Sequence, residues 1–416
     1  TAAMAGGPPA AMIRAVLFGT YTATHPANRL LAAQLEAAGL DVAVCHEPLW
    51  ERTRDKTATF FGVRSLAQLG LAYLAAAQRL RRRFRAAPRP DLVVTGFNGQ
   101  LDVPLARFVA GRRARLVFAP LVTLTETLVD DRQVYARGGL KDRAARALDR
   151  WTLRLSDLVL TDTETHRRWI AERLVPTART ATVYLGAEPF FRPAAARTRR
   201  ADEPLRVLFY GQYVPLHGTS VIVEAAALLA REGGIEITMI GTGPERELAT
   251  RLATMRNVTS LRFEDWEAYD QLPARLAACD VALGIFGPTS KARMVIPTKV
   301  YQAAAMGRAV VTMDTPALRE VFTPDADVLT VQEGDPRALA AMLRRLRDDP
   351  ALAPRIGSAA GRLLGEHLDP AAQGARMRTV LADAFPDLAT RFAPASSALT
   401  PAFAGLPLGY SAGHQA

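Results

Sequence analysis

At 416 residues the chain exceeds one ordinary domain, and 49% hydrophobic with 22% charged residues excludes low-complexity and fibrous classes. A formal net charge of +11 points to anionic partners: phosphorylated substrates, an anionic membrane or nucleic acid. No charge-free run approaches the ~18 apolar residues of a membrane span, and residues 1–12 lack the basic and apolar regions of a signal peptide.

In the first half, apolar runs at 15–18, 42–45, 92–95, 116–118, 158–161 and 182–184 read as strands. Helical patterns separate them; across 28–38, Leu30, Leu31, Leu35 and Ala38 share one stripe. Near-continuous apolar strands alternating with helices predict a parallel sheet covered on both faces. Further along, Leu66, Leu69, Tyr73 and Leu80 share a helical face, and six arginines fall between Arg79 and Arg89. Such a helix either packs on the sheet or lies on an anionic membrane. Residues 188–204 hold three prolines, an arginine cluster and few large aliphatics, which marks a linker. The rhythm restarts with strands at 206–210, 237–240, 258–263, 281–284, 309–313 and 328–331.

The expected plan is a first domain over 12–190, a linker over 191–204 and a second domain over 205–368. A helix over 369–387 is expected to pack back on the first domain, ahead of a disordered tail over 388–416. Ligands of such sheets bind at the carboxyl ends of the strands, so two facing sheets form an interdomain cleft. Cys45 and Cys279 lie in different halves without metal-ligand neighbours, as in a reduced cytoplasmic chain. Lysine occurs only at Lys56, Lys141, Lys291 and Lys299, and arginine supplies the remaining basic charge.

Three segments could carry chemistry. From Val207, a strand runs through Gly211, Gln212, His217 and Gly218 into a helix near Thr219, whose N-terminus suits a diphosphate. The second, Gly241-Thr-Gly-Pro-Glu-Arg246, has arginine where a dinucleotide fingerprint has its third glycine, and Pro244 reads as a first helical residue. The third runs from Phe286 to Val311. It holds Lys291 and Arg293 in a loop, Thr298 as a candidate cap, and a helix ending at Gly307. A phosphate at that helix start would meet N–H groups and both cations.

The second half resembles the retaining glycosyltransferases of family 4, within them a subgroup with a Pro-Leu-His-Gly loop and an Ile-Pro-x-Lys-Val-Tyr helix start. The resemblance covers residues 205–368. It is weaker at Gly19-Thr20, Asp130-Asp-Arg132 and Thr161-Asp-Thr-Glu-Thr-His166. It implies an α/β fold of GT-B type, two Rossmann-like doubly wound parallel-sheet domains facing a cleft. It also implies sugar transfer from a nucleotide-diphosphate sugar to a glycan or lipid-linked hydroxyl acceptor, with retention and no required cofactor or metal.

By resemblance His217, Lys291 and Arg293 serve catalysis. Gly19, Gly211, Gln212, Gly218, Thr298 and Lys299 hold the diphosphate side, Trp266 lies by the base, and Gln302 takes the place of a ribose-binding glutamate. Met294 replaces a sugar-contacting glutamate, and His217 replaces a lysine. These departures keep two alternatives open: a degenerate nucleotide- or partner-binding protein, and a nucleotide-sugar epimerase. Asp130, Asp131 and Arg132 are acceptor-side candidates. His25 reads equally as a helix cap. Asp162, Glu164 and His166 suit a helix start, and a metal reading needs convergence that spacing does not supply. Nucleic acid ranks last, because the arginine runs lack interleaved aromatics. The expected location is cytoplasmic, with a peripheral place at the inner membrane face if the membrane reading holds.

Overall fold

The computed structural model describes residues 12–50, 63–195, 197, 199–200 and 202–392. Among the described residues, twelve strands form two six-stranded parallel sheets. The first holds β1 (Arg14–Gly19), β2 (Asp41–His46), β3 (Leu92–Thr95), β4 (Arg115–Phe118), β5 (Leu158–Thr161) and β6 (Thr180–Thr182). The second holds β7 (Leu205–Tyr210), β8 (Ile235–Ile240), β9 (Leu261–Glu264), β10 (Val281–Leu283), β11 (Ala309–Met313) and β12 (Leu329–Val331). A strand forms at every expected run. β6 starts two residues early, because pairing with β5 in the register Leu160↔Ala181 fixes it there, while Val183 beyond it packs into the core.

The strand orders are β2-β1-β3-β4-β5-β6 and β12-β11-β10-β7-β8-β9. In the second, the chain runs outward from β7 to β9 and then returns to place β10 on the other side of β7. The loops after β7 and β10 therefore flank a crevice, the topological switch point where α/β sheets take ligands. The first sheet has its switch between β1 and β3.

Alternation along β1 sorts the helices of the first domain. Ala15 and Leu17 face α1 (Pro26–Ala37) and α12 (Pro370–Ala384). Val16 and Phe18 face α2 (Val63–Ala86), α3 (Asp102–Ala110), α4 (Leu140–Leu155) and α5 (Glu164–Arg173). In the second domain α6 (Thr219–Leu229), α7 (Arg246–Met255) and α10 (Pro336–Asp348) cover one face. The other is covered by α8 (Leu272–Ala277), α9 (Thr298–Ala305) and α11 (Leu352–His367).

The α2 face expected to meet either the sheet or a membrane turns inward: Leu80 is buried in the core, and the Tyr73 hydroxyl donates to the Leu101 carbonyl at 2.5 Å. The Leu66 side chain lies outside the described residues. Helix α7 begins at Arg246, so Pro244 precedes it rather than opening it. Of the tail expected from 388, Leu388 is buried with α12 against the first core; 393–416 lie outside the described residues. Among the described residues no helix is long and apolar enough to cross a membrane.

Gly374 is where α12 touches α1: a Cβ there would sit 2.5 Å from the Ala37 backbone. Gly374→Leu should force the helices apart and destabilise by about 2–4 kcal/mol, read as a lower urea midpoint. An unchanged midpoint would mean that α12 can shift freely on α1.

Candidate active site at the interdomain cleft

Strand β7 is followed directly by Gly211, whose φ is +156°. A Cβ there would lie 2.7 Å from His217 Cε1 and 2.9 Å from Lys299 Nζ, so an imidazole and a lysine amine meet over one bare backbone position. Both side chains are buried, and among the described residues neither Lys299 Nζ nor His217 Nδ1 has a hydrogen-bond partner. Lys299 is the second residue of α9, where the helix dipole disfavours a cation. Its Nζ stands 4.1 Å from the Phe209 ring centroid, a partial compensation. Burial pushes the Lys299 pKa far down, and burial with Lys299 and Lys291 nearby does the same to His217. Buried polar groups left unpaired are costly, and an anion between them would remove that cost.

Two loops build this pocket by touching each other. Phe286 and Gly287 donate their N–H groups to the carbonyls of His217 and Leu216, each at 3.1 Å. Gly218 is left-handed at φ 60°, and a Cβ on it would lie 2.5 Å from Gly287 N. Gly218 also immediately precedes α6, whose N-terminus carries no side-chain cap. The Gly241-x-Gly243 turn is packing: side chains there would strike the Gly211 and Gln212 carbonyl oxygens at 2.0 and 1.5 Å. That accounts for the incomplete dinucleotide pattern.

Lys291 and Arg293 have different partners. They lie two apart in a 3-10 turn, which advances about 120° per residue and points them apart. Arg293 is exposed and paired with Glu333 at 2.5 Å. Lys291 is buried and crosses to the first domain, with Nζ 3.3 Å from Thr127 Oγ1 and 3.9 Å from Asp131 Oδ2. Thr298 does not cap α9 either; it is the first helical residue, after Pro297, and no side-chain cap bond forms.

On the first-domain side, a π-helical turn over Glu126–Asp131 faces Lys291. Behind it, buried His166 bridges Glu126 Oε2 (3.0 Å) and Asp162 Oδ1 (3.2 Å). Burial alone would lower the His166 pKa, but Glu126 and Asp162 outweigh it and raise it to about 10. Glu164, expected beside them, instead binds Arg167 and is lowered to about 2. Asp130 pairs with exposed Arg137. Sequence reading missed Glu126, which lies forty positions from His166 and carries no local pattern. It also missed Glu320, which accepts from the Glu164 and Thr165 N–H groups at 2.6 Å and so caps α5 from the other domain. Thr163 Oγ1 donates to the Met294 carbonyl at 2.5 Å, a second link across the cleft.

His25 caps α1, accepting from Ala27 N at 3.2 Å. Gly19 makes room for Asp102, whose carboxylate takes the Thr20 N–H at 2.7 Å and would meet a Cβ at 2.3 Å. Gln212 is exposed at the rim, and Trp266 is half-buried beyond β9. Gln302 is 1% exposed and engaged at both ends. Its carbonyl accepts from Tyr210 at 2.8 Å, and its amide donates to Tyr269 at 2.5 Å and Glu188 at 3.2 Å. The amide joins the linker to the second domain.

The family model for "Glycosyl transferases group 1" matches residues 204–349, and that for a "Glycosyl transferase 4-like domain" matches 23–186. The amylovoran biosynthesis glycosyltransferase AmsK of Erwinia amylovora is 28% identical over 152 residues, 36% of this chain and 37% of that one. The chain spans 37% to 56% of the lengths of the curated relatives it matches. Among solved structures, sucrose-phosphate synthase from Thermosynechococcus elongatus has a TM-score of 0.69 at 16% identity, covering 90% of this chain and 100% of that one. Anabaena HepE in complex with UDP-glucose has a TM-score of 0.63 at 15% identity, covering 89% and 100%. These likenesses carry the fold: two Rossmann-like domains in the GT-B arrangement.

Lys299→Met should raise the stability of the ligand-free protein at neutral pH by about 1–3 kcal/mol, because an apolar side chain replaces a buried amine that has no hydrogen-bond partner among the described residues. A lowered Tm would contradict that reading of the pocket. The raised His166 pKa stabilises fully below about pH 6.5 and loses that contribution as pH climbs toward about 10. The Tm gap between wild type and His166→Gln should therefore shrink from pH 6 to pH 10; a constant gap would mean that His166 is neutral throughout.

Proposed function

With a glycosyltransferase-type domain in each half, the chain belongs to the GT-B glycosyltransferases of the family 4 type, and from that premise we propose that it moves a sugar from a nucleoside-diphosphate sugar to a hydroxyl acceptor with retention of anomeric configuration. The observation that carries this is the pair of buried basic groups without a hydrogen-bond partner among the described residues, Lys299 and His217, over Gly211 beside the start of α6. A diphosphate fits that deficit in charge and in hydrogen bonding.

Bond cleavage between sugar and diphosphate leaves negative charge on the leaving group. Lys299, His217 and the α6 N–H groups are fixed where that charge develops, so they stabilise it without reorganising. Lys291 adds positive charge at the first-domain wall, beside Thr127 and Asp131, where an acceptor hydroxyl would enter. Trp266 offers a surface for the base. UDP-sugars are the first donors to try, since HepE binds UDP-glucose on the same fold. The acceptor class is a glycan or a lipid-linked glycan, in keeping with AmsK, a glycosyltransferase of amylovoran biosynthesis.

One observation favours a second reading, nucleotide binding without turnover: Gln302 is consumed by Tyr210, Tyr269 and Glu188, and Met294 supplies only its carbonyl. A thermal-shift panel of UDP-, GDP- and ADP-sugars separates the readings when followed by turnover with oligosaccharide and polyprenyl-linked acceptors. One nucleotide class should stabilise the wild type and not Lys299→Met. Turnover should fall about 10²–10³-fold in that variant, the usual cost of one oxyanion-stabilising donor. Product NMR should show the donor's anomeric configuration. Binding without any transfer would establish the second reading, and no shift with any donor at millimolar concentration would sink both.

A further inference from the structure

The loop that builds one wall of the donor pocket also borders a second hollow. Phe286 and Gly287 bond to the His217 and Leu216 carbonyls, and Lys291 reaches the first domain. Pro288 and Arg293 of the same loop line a groove of about 590 Å³ in which Gly211, His217 and Lys299 take no part. Its floor is the carboxyl end of the sheet edge. Asp314 directly follows β11, Gln332 and Glu333 directly follow β12, and Thr330 lies within β12. The groove thus shares the ligand-bearing end of the sheet with the donor pocket. It also adjoins the interdomain seam: Met294, next to Arg293, accepts from Thr163, and Glu320, next to Arg319, caps α5.

Two ion pairs border the groove. Arg293 meets Glu333 at 2.5 Å, and Arg319 holds both oxygens of Asp314 at 2.6 and 2.7 Å. Surface pairs contribute only about 0–1 kcal/mol each, so stability gives little reason to set them around a hollow. Their chemistry selects the occupant. A sugar hydroxyl both donates and accepts, so a vicinal diol suits a guanidinium donor and a carboxylate acceptor side by side. The Thr330 hydroxyl and the Gln332 amide add both kinds of partner. Asp314 and Glu333 repel a polyanion, which disfavours a diphosphate or nucleic acid here. Among the described lining side chains only Pro288 and Val331 are apolar, too little for a lipid chain. The volume lies in the ~300–1,000 Å³ range of ligand sites and takes roughly a di- or trisaccharide.

We propose that this groove is a subsite of the second domain for the sugar residues of a neutral glycan acceptor that follow the reacting one. The acceptor then lies across the seam, its reacting hydroxyl by Lys291 and its chain over the ends of β11 and β12. The assignment rests on the glycosyl-transfer reading and narrows its acceptor to an uncharged oligosaccharide or longer chain.

The test applies the full chain to an array of immobilised neutral mono- to hexasaccharides, with a parallel thermal-shift measurement against the donor panel. The wild type should bind chains of three or more residues at least about tenfold tighter than monosaccharides. Asp314→Ala/Glu333→Ala should weaken chain binding about tenfold or more, and Gln332→Ala about threefold. The donor-induced Tm shift should stay as in the wild type, since these three residues lie outside the Gly211 pocket. Equal binding of monosaccharides and chains, variants that bind chains like the wild type, or variants that lose the donor shift would each overturn the proposal. So would absent glycan binding by a wild type that a donor stabilises. A wild type that no donor stabilises and no glycan engages would instead sink the transfer reading, and this proposal with it.

Discussion

Lys299 Nζ lies buried at the start of a helix, against an aromatic ring, and among the described residues no carboxylate pairs with it. Each of these placements costs stability, and they occur together with an unpartnered His217 nitrogen on the other side of Gly211. A fold selected for stability alone would fill the space with an apolar side chain. The surrounding architecture keeps it as it is. Gly211 leaves the backbone bare, Gly218 and Gly287 let the two switch-point loops join, and the Gly241 turn supports the Gly211 loop from beneath. The pocket is thus preorganised for an anion before any anion arrives, which is how electrostatic stabilisation avoids the cost of rearrangement.

The first domain meets this pocket through few but well-defined contacts. Lys291 reaches Thr127 and Asp131, Thr163 bonds the Met294 carbonyl, and Glu320 caps α5. On the linker side, Arg29 of α1 pairs with buried Glu188 at 2.8 Å, and Glu188 continues through Tyr269 and Gln302 to Tyr210. The cleft is therefore pinned at its mouth and at its hinge by polar links. Such links can exchange with water, unlike a packed apolar seam, and that is the behaviour wanted of two domains that must admit a donor and release a product.

The strands were legible because a buried parallel strand is a short apolar run, and that property belongs to each strand by itself. The expected place of the loops followed from the topology; Gly218 was singled out by the strand–loop–helix pattern, and Lys299 only by the family resemblance. What could not be read locally depends on convergence. The separation of Lys291 from Arg293 follows from a 3-10 turn where a loop was expected. Glu126 and His166 meet only after helix α4 and strand β5 intervene, and Glu320 reaches α5 only when the domains face one another. Gln302 was read through its resemblance to a ribose-binding position. Its partners, Tyr269 and Glu188, lie 33 and 114 positions away, and only the fold brings them together.

The central claim is that Lys299 and His217 hold depressed proton affinities until a diphosphate sits between them. Binding should then raise both, so the complex takes up protons. Calorimetric titration with the stabilising nucleoside-diphosphate sugar at mildly alkaline pH, in buffers of different ionisation enthalpy, counts those protons directly. Net uptake approaching about one proton per site, abolished in Lys299→Met, is the predicted result. No net uptake, or proton release, would show that the diphosphate does not enter between Lys299 and His217.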